Sequence, residues 1–459
     1  MKILHVPFTF GPDPVGGTEV YVQSLSRSQR EIGVEPVIAA PGARTESYTI
    51  EGLTVHRFAV RDSVTDIREL YAAGDPGAAR QFGRILDGEE PDVVHLHALT
   101  RGASLLLVRE ASMRDVPSVF TYHTPTVSCP RGTLLRWGHE QCDGRVDAVR
   151  CTECRLESLG LNRIASRVLA RVPASFGRAM ANHGRSGGVW TALAMRELVS
   201  IRHQTFRECM AEVRHIVAVC EWARGVLERN GVPPAKVSVS RAGVQGPAAS
   251  ARGRDLGPPT DETLRAVFLG RLDPTKGPDL LVKAVRSAPG LNIKLDIYGV
   301  MDAPSGNRYH AELIAAAAGD PRIVFRRPVP SAEVVALLRS YDVVMVPSRW
   351  LETGPLVVLE AFAAGTPVIG SALGGIAELV SHGVDGLLVR SSSVDAWREA
   401  LERVDREREL LVTLRRGIRP PRTMADVADD MMAVYGRVLG EPEEGSRGAR
   451  SAHPVRSVH

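Results

Sequence analysis

Long apolar runs, lysines and aromatic side chains are all scarce in this chain, and each scarcity excludes something. No run of about eighteen apolar residues occurs, so no segment reads as a membrane-spanning helix. The opening Met1-Lys2 leads into a short apolar run broken at Pro7, which lacks the pattern of a secretion signal; a cytoplasmic protein is expected. Only 5% of the 459 residues are aromatic, so the basic stretches carry few rings for stacking bases. The net charge of +4 is modest for this length and does not by itself point to nucleic acid. Of 57 basic residues only five are lysines, so an individual lysine stands out.

What is present fits an α/β protein. A chain of this length divides into about two or three domains, each large enough for its own core. Short apolar, strand-like runs alternate with amphipathic helical stretches, the pattern of a parallel sheet covered on both faces. Residues 245–263 are poor in large apolar side chains and rich in Gly and Pro, and read as a linker. This divides the chain into an N-terminal domain at 1–244, a C-terminal domain at 264–420, a helical segment at 421–439 and a polar, disordered tail at 440–459.

Two stretches carry the chemistry. After the strand-like Val343 to Val346 comes Arg349-Trp350-Leu351-Glu352-Thr353-Gly354-Pro355-Leu356-Val357-Val358-Leu359-Glu360-Ala361. Gly354 is expected to cap a helix and Pro355 to occupy its first position, where the missing amide hydrogen costs nothing. The free amides of Leu356 and Val357 then suit a phosphate or a sugar hydroxyl, and Glu352 and Glu360 are placed to grip one elongated polar ligand. Two surface glutamates flanking a helix start are the plainer alternative. Earlier in the chain, the apolar Ala266 to Leu269 runs into Gly270-Arg271-Leu272-Asp273-Pro274-Thr275-Lys276-Gly277. An ammonium at Lys276 and a two-pronged guanidinium at Arg271 make a good pair for phosphate oxygens, against the alternative of an ordinary solvated loop.

Taken together, these stretches closely resemble the retaining glycosyltransferases of family 4, whose GT-B fold sets two Rossmann-like domains across a cleft. Lys2-Ile3-Leu4-His5-Val6 with Gly16-Gly17-Thr18-Glu19 resembles the family's first strand and glycine-rich donor loop. Asp92 to His97 and Val119 to Thr124 resemble its later N-terminal strands, the second carrying the histidine that meets the sugar, here His123. Ile216 to Glu221, Gly365 to Gly370 and Gly374-Gly375-Ile376-Ala377-Glu378 fit the same template, so the likeness runs over most of residues 1–440. The resemblance implies transfer from a nucleoside-diphosphate sugar with retention of configuration and without a catalytic metal. It further implies that Arg271 and Lys276 hold the diphosphate, Glu352 the sugar hydroxyls and Glu360 the ribose, with Gly16 and Gly17 letting the chain approach the phosphates. The segment 421–439 would be the helix that crosses back to the first domain. Two departures stand out: Gly354-Pro355 replaces the usual phenylalanine and glycine, which removes one amide donor, and Arg326-Arg327-Pro328 replaces a glycine near the base pocket.

The cysteines are not part of that pattern. Cys129, Cys142, Cys151 and Cys154 fall within 26 residues and end in a CxxC pair, the spacing of a tetrahedral structural zinc site in an insertion at about 125–214. Disulfides and an iron–sulfur cluster are the competing uses; the expected cytosolic setting argues against disulfides. Cys209 and Cys220 lie in apolar stretches and read as core. Residues 155–214 hold ten arginines, four glutamates, no lysine and no aspartate. Their helical spacing among Ile164, Val168 and Phe176 suits either a solvated face or contact with an anionic membrane or a phosphorylated acceptor. Four other readings use the same residues: a catalytically silent relative, an inverting GT-B transferase, a sugar-nucleotide epimerase, and a zinc-organised nucleic-acid binder. The last explains under a fifth of the chain.

Overall fold

A computed structural model describes residues 1–13, 16–64, 66–182, 187–245, 263–300 and 304–440. All of the linker but Gln245 and Thr263, and the tail beyond Gly440, lie outside the described residues. Two sheets organise the molecule. The first has eight strands, in the spatial order Val237–Val239, His215–Ala218, Ser118–Tyr122, Val93–Leu96, Lys2–Val6, Glu35–Gly42, Leu53–Ala59 and Glu46–Ile50. Every pairing in it is parallel except the last, where Glu46–Ile50 turns back along Leu53–Ala59. The second is fully parallel, in the order Ile323–Arg326, Ile293–Val300, Leu264–Arg271, Val343–Val346, Val368–Ser371 and Gly386–Val389. Central strands such as Val93–Leu96 and Val343–Val346 are buried along their whole length, which is why they read as unbroken apolar runs and not as alternating ones.

The helix Met424–Leu439 joins the two halves. Thr423 and Asp426 form a capping box at its start, and Gly440 ends it in the left-handed conformation at φ 79°. Its apolar stripe, Met424, Val427, Ala428, Met431, Val434, Tyr435 and Val438, packs against Ile3, Val22 and Leu25 of the first domain. Leu359 and Ala363 of the second domain enter the same core, so one apolar seam spans both. Gly243 allows the chain to meet the start of this helix: a Cβ there would lie 2.2 Å from the Thr423 carbonyl oxygen. Val244 and Thr423 pair as neighbouring strand residues beside it.

Between the strands Ser118–Tyr122 and His215–Ala218 the chain makes its long excursion. It forms a two-stranded ribbon, Leu135–Arg136 with Glu140–Gln141, and then the helices Ala148–Ser158, Arg163–Leu169, Ala174–Asn182 and Gly188–Glu212. The ribbon's Leu134 and Leu135 pack on Val226 of the first domain and on Leu351 and Leu373 of the second. The excursion therefore touches the loop that carries Glu352.

Candidate functional site

A cleft of about 870 Å³ lies between the domains. Gly16, Gly17 and His123 line it from the first domain, and Arg271, Lys276, Glu352, Gly354 and Leu356 from the second. Arg271 is the last residue of its strand. Lys276 follows in a turn held by Asp273, whose carbonyl accepts from the Lys276 amide at 3.0 Å. Gly277 then takes φ 71° and caps the helix Pro278–Ser287; a Cβ here would lie 2.3 Å from the Pro347 carbonyl oxygen. The lysine loop can thus lie directly on the end of the strand Val343–Val346.

A second staple fixes the two loops together. Arg349 grips Asp279 at 2.6 and 2.8 Å, and its amide donates to the Thr275 carbonyl at 2.7 Å. Burial pushes the Asp279 carboxyl up, but Arg349, with Tyr309 and Lys283, holds it well below the ordinary value. The outcome is a contact between the two predicted site residues: Lys276 Nζ lies 2.6 Å from Glu352 Oε1, and Ser348 Oγ donates to the same oxygen at 2.7 Å. Burial works against ionisation of Glu352, yet the Lys276 ammonium and the Ser348 hydroxyl keep its carboxyl below the ordinary value. Lys276 also sits over the Trp350 ring, 5.4 Å from its centroid.

The helix after Glu352 begins one residue later than expected. Pro355, at φ −66° and ψ 110°, is extended and serves as the cap, so Leu356 is the first helical residue of Leu356–Ala363. Gly354 and Leu356 line the cleft; Val357 and Glu360 do not. Glu360 is half-buried on that helix, and burial raises its carboxyl to about 7. On the opposite wall, Gly16 caps the helix Gly17–Glu31, and its amide donates to Glu19 Oε2 at 2.8 Å.

Several residues outside the expected set of site residues surround and hold the Glu352 loop. Trp222 Nε1 donates to the Glu352 carbonyl at 2.9 Å, and the Thr353 hydroxyl donates to the His123 carbonyl across the cleft. Glu378 accepts from the amides of Glu221 and Trp222, both at 2.9 Å, at the start of the helix Glu221–Arg229. Gly374 and Gly375 lie directly under the loop, where a Cβ would meet Glu352 and Thr353 carbonyl oxygens at 2.9 and 2.6 Å. The paired glycines in the sequence were the one signal for this packing. Arg202, on the helix Gly188–Glu212, lines the first-domain wall of the cleft; its guanidinium reaches the Thr126 carbonyl while its buried Nε has no partner among the described residues.

The cysteine expectation is met only in part. Cys129, Cys142, Cys151 and Cys154 are free, partly buried thiols in the predicted excursion, and burial pushes the thiols of Cys142, Cys151 and Cys154 up. Their sulfurs do not close into a ligand set, however. Among the described residues only His5, His95 and His97 bring three ligand atoms within 4.8 Å of one another. The Gly144 amide donates to Cys142 Sγ at 3.5 Å, and Cys154 Sγ points to the Leu135 carbonyl at 3.8 Å, so local backbone contacts engage these two sulfurs. In the arginine-rich part, Ile164 is 77% and Val168 63% exposed beside Arg163 and Arg167. No helix among the described residues is long and apolar enough to cross a membrane.

Two parallel-sheet α/β domains facing a cleft, with a final helix crossing back, constitute the GT-B architecture. Residues 255–419 match the family model for glycosyl transferases group 1, and residues 16–170 match that for the glycosyl transferase 4-like domain. The chain thus has the GT-B fold, with one stretch similar to the glycosyl transferase 4-like domain and another similar to glycosyl transferases group 1. Curated relatives include D-inositol 3-phosphate glycosyltransferases. The one from Stackebrandtia nassauensis is 36% identical over 45% of this chain and 50% of its own length. That from Mycobacterium tuberculosis is 33% identical over 50% of this chain and 49% of its own. The chain spans about half the length of the curated relatives it matches. Solved structures of the same fold include sucrose-phosphate synthase from Thermosynechococcus elongatus, with a TM-score of 0.63 at 17% identity over 96% of this chain and 100% of that one. Anabaena HepE in complex with UDP and glucose has a TM-score of 0.60 at 15% identity over 95% and 99%.

Proposed function

We propose that the protein is a retaining glycosyltransferase that moves a sugar from a nucleoside-diphosphate donor to a hydroxyl of an acceptor bearing an anionic group. The observation that carries this reading is the Lys276–Glu352 pair on one wall of the cleft, with His123 on the other. As the diphosphate leaves, negative charge gathers on its oxygens and positive charge develops on the sugar ring. Arg271, Lys276 and the first amides of the helix Leu356–Ala363 offset the former; no metal ion is called for in the resembled family. Glu352 accepts hydroxyls of the transferred sugar, Glu360 takes the ribose of the nucleotide, and the leaving phosphate accepts the proton of the incoming hydroxyl on the same face. Gly16 and Gly17 leave the first domain's backbone free to approach the phosphates.

Arg202 supports the anionic acceptor. Its buried Nε has no partner among the described residues, and burial works against its charge, so a phosphate or carboxylate in the cleft would supply what it lacks. The relatives named for D-inositol 3-phosphate favour a phosphorylated polyol. Two finer points belong to the same reading. Zinc is proposed for the four cysteines, which would draw together around it and brace the excursion against the Glu352 loop. Peripheral contact with an anionic membrane is proposed for the face around Ile164 and Val168, and co-sedimentation with anionic but not neutral vesicles tests it.

The main test supplies a panel of nucleoside-diphosphate sugars with inositol phosphate or with inositol. A new glycosidic bond of unchanged anomeric configuration, formed with the phosphorylated acceptor and weakened by Arg202→Met, is the expected result. Absence of any product together with absence of any thermal shift by nucleoside diphosphates would overturn the proposal.

A further inference from the structure

Behind His123 lies a continuous chain of buried hydrogen bonds that the transfer chemistry does not require. His123 Nε2 is 3.0 Å from His97 Nδ1, and His97 Nε2 is 3.0 Å from His5 Nδ1. His5 Nε2 is 2.8 Å from Gln29 Oε1. Gln29 Nε2 donates to the Tyr435 hydroxyl at 3.3 Å, and that hydroxyl is 2.7 Å from His95 Nδ1. His95 Nε2 ends the chain at Thr121 Oγ1, 2.7 Å away. Every ring nitrogen of His5, His95 and His97 is thereby engaged, which accounts for their convergence without a metal ion.

The direction of the row from Gln29 to His123 follows from one group, the Gln29 amide with its oxygen toward His5 and its NH2 toward Tyr435. The Gln29 amide oxygen has no hydrogen to give, so His5 Nε2 must carry the proton and His5 Nδ1 must accept. His97 Nε2–H then donates to His5, His97 Nδ1 accepts, and His123 Nε2–H donates to His97. Burial holds His5 at about 4 and His123 at about 3, with His95 and His97 also depressed, so every ring is neutral and has a single proton to place. His123 Nδ1 is left with a lone pair and no hydrogen-bond partner among the described residues, in a side chain that lines the cleft.

We propose that Gln29, His5 and His97 are positioning residues that fix the tautomer of His123, so that Nδ1 presents a hydrogen-bond acceptor to a substrate hydroxyl. The proposal rests on the reading of the cleft as a glycosyl-transfer site. Tyr435 lies on the helix Met424–Leu439, so the docking of that helix supplies the hydroxyl that accepts from the Gln29 amide and ties it to the row that ends at His123. A reversed Gln29 amide would reverse every bond in the row and turn His123 Nδ1 into a donor, which faces a sugar hydroxyl differently.

The test is ¹⁵N NMR of the full chain with labelled histidine, the His123 signals being identified by their loss in His123→Gln. The expected result is a pyrrole-type Nε2 and a pyridine-type Nδ1 for His123 in the wild type. In Gln29→Met and in the milder Tyr435→Phe, those two signals move toward averaged values while the folded spectrum persists. With the donor and acceptor identified, the same variants lower kcat about tenfold and leave donor affinity within about twofold, the size of one hydrogen bond. A pyrrole-type Nδ1 in the wild type, or a His123 tautomer unmoved in both variants, overturns the proposal. If no donor supports transfer but the tautomers respond as stated, the activity reading fails while the relay stands.

Discussion

Lys276 and Glu352 are 76 positions apart in the chain, yet their side chains meet at 2.6 Å in the wall of the cleft. The contact exists because Gly277 lets the lysine loop rest on Pro347, while Arg349 clamps the same loop through Asp279 and the Thr275 carbonyl. In the proposed reaction it places a cation that serves the leaving diphosphate beside a carboxylate that serves the sugar hydroxyls.

The pair predicts different outcomes for stability and activity. Glu352→Gln and Lys276→Met each lower kcat/KM by about 100-fold or more, the loss expected when transition-state charge goes unmatched. Lys276→Met also strands a buried carboxylate and destabilises the fold by roughly 1–3 kcal/mol, below the range for fully buried pairs, because 22% of the lysine side chain stays exposed. The double variant regains most of that stability and none of the activity. Thermal unfolding and steady-state rates on the four proteins check this; a fully active single variant would contradict the site.

Gly374 gives a second prediction, with its own control. At φ 54°, an added Cβ would sit 2.9 Å from the Glu352 carbonyl oxygen and 3.0 Å from Leu351 Cα. Gly383 is at φ 77° with nothing within 4 Å of such a Cβ. Gly383→Ala therefore bears only the backbone strain, about 1–3 kcal/mol, and keeps normal turnover. Gly374→Ala bears a similar strain and also displaces the Glu352 loop, so its kcat falls by about tenfold or more. Equal activity of the two variants would show that the loop tolerates the shift.

How much of this was legible in the sequence depended on whether a feature is local. The buried strands, the helix Met424–Leu439 and the pairing of Arg271 and Lys276 with Glu352 in one cleft are visible in apolar runs, capping residues and the family likeness. The start of the helix after Glu352 was misplaced by one residue because Pro355 takes an extended ψ, which its ring permits as readily as the helical one. Trp222, Thr353, Arg202 and the histidine row were out of reach. Their roles depend on contacts such as Trp222 with Glu352, 130 positions apart, which leave no periodicity to read. Cysteine spacing showed that four thiols share one excursion but not how their sulfurs are directed.

The ribose contact proposed for Glu360 predicts that donor binding depends on pH. Burial raises its carboxyl to about 7, so below that pH the free protein carries it protonated. A ribose hydroxyl donating to the carboxylate favours the ionised form, so binding below pH 7 must release a proton. Donor affinity therefore rises from pH 6 to pH 8, by at most about tenfold per unit below 7. The fold responds the other way: the raised value adds stability at low pH, which is lost as pH rises through about 7. In Glu360→Gln both dependences flatten over this window. Calorimetric titration of the nucleoside diphosphate at several pH values reads the first, and a flat wild-type profile would remove Glu360 from the ribose site.

The cysteines give the last prediction, and it separates zinc from plain packing. Cys129 and Cys142 pack around Leu134 and Leu135, which lie on Leu351 of the Glu352 loop, while the backbone contacts of Cys142 and Cys154 engage those two sulfurs. If zinc binds, protein purified without chelator carries about one equivalent, and Cys151→Ser with Cys154→Ser loses it because a tetrahedral site cannot close on two thiolates. Folding energy from the metal is then lost as well, so the double variant unfolds at lower temperature and chelator no longer affects it. Because the ribbon rests on the Glu352 loop, its turnover falls too, with donor affinity reduced. Full metal content in the double variant, or a metal-free wild type with an undiminished unfolding temperature, would assign these thiols to packing alone.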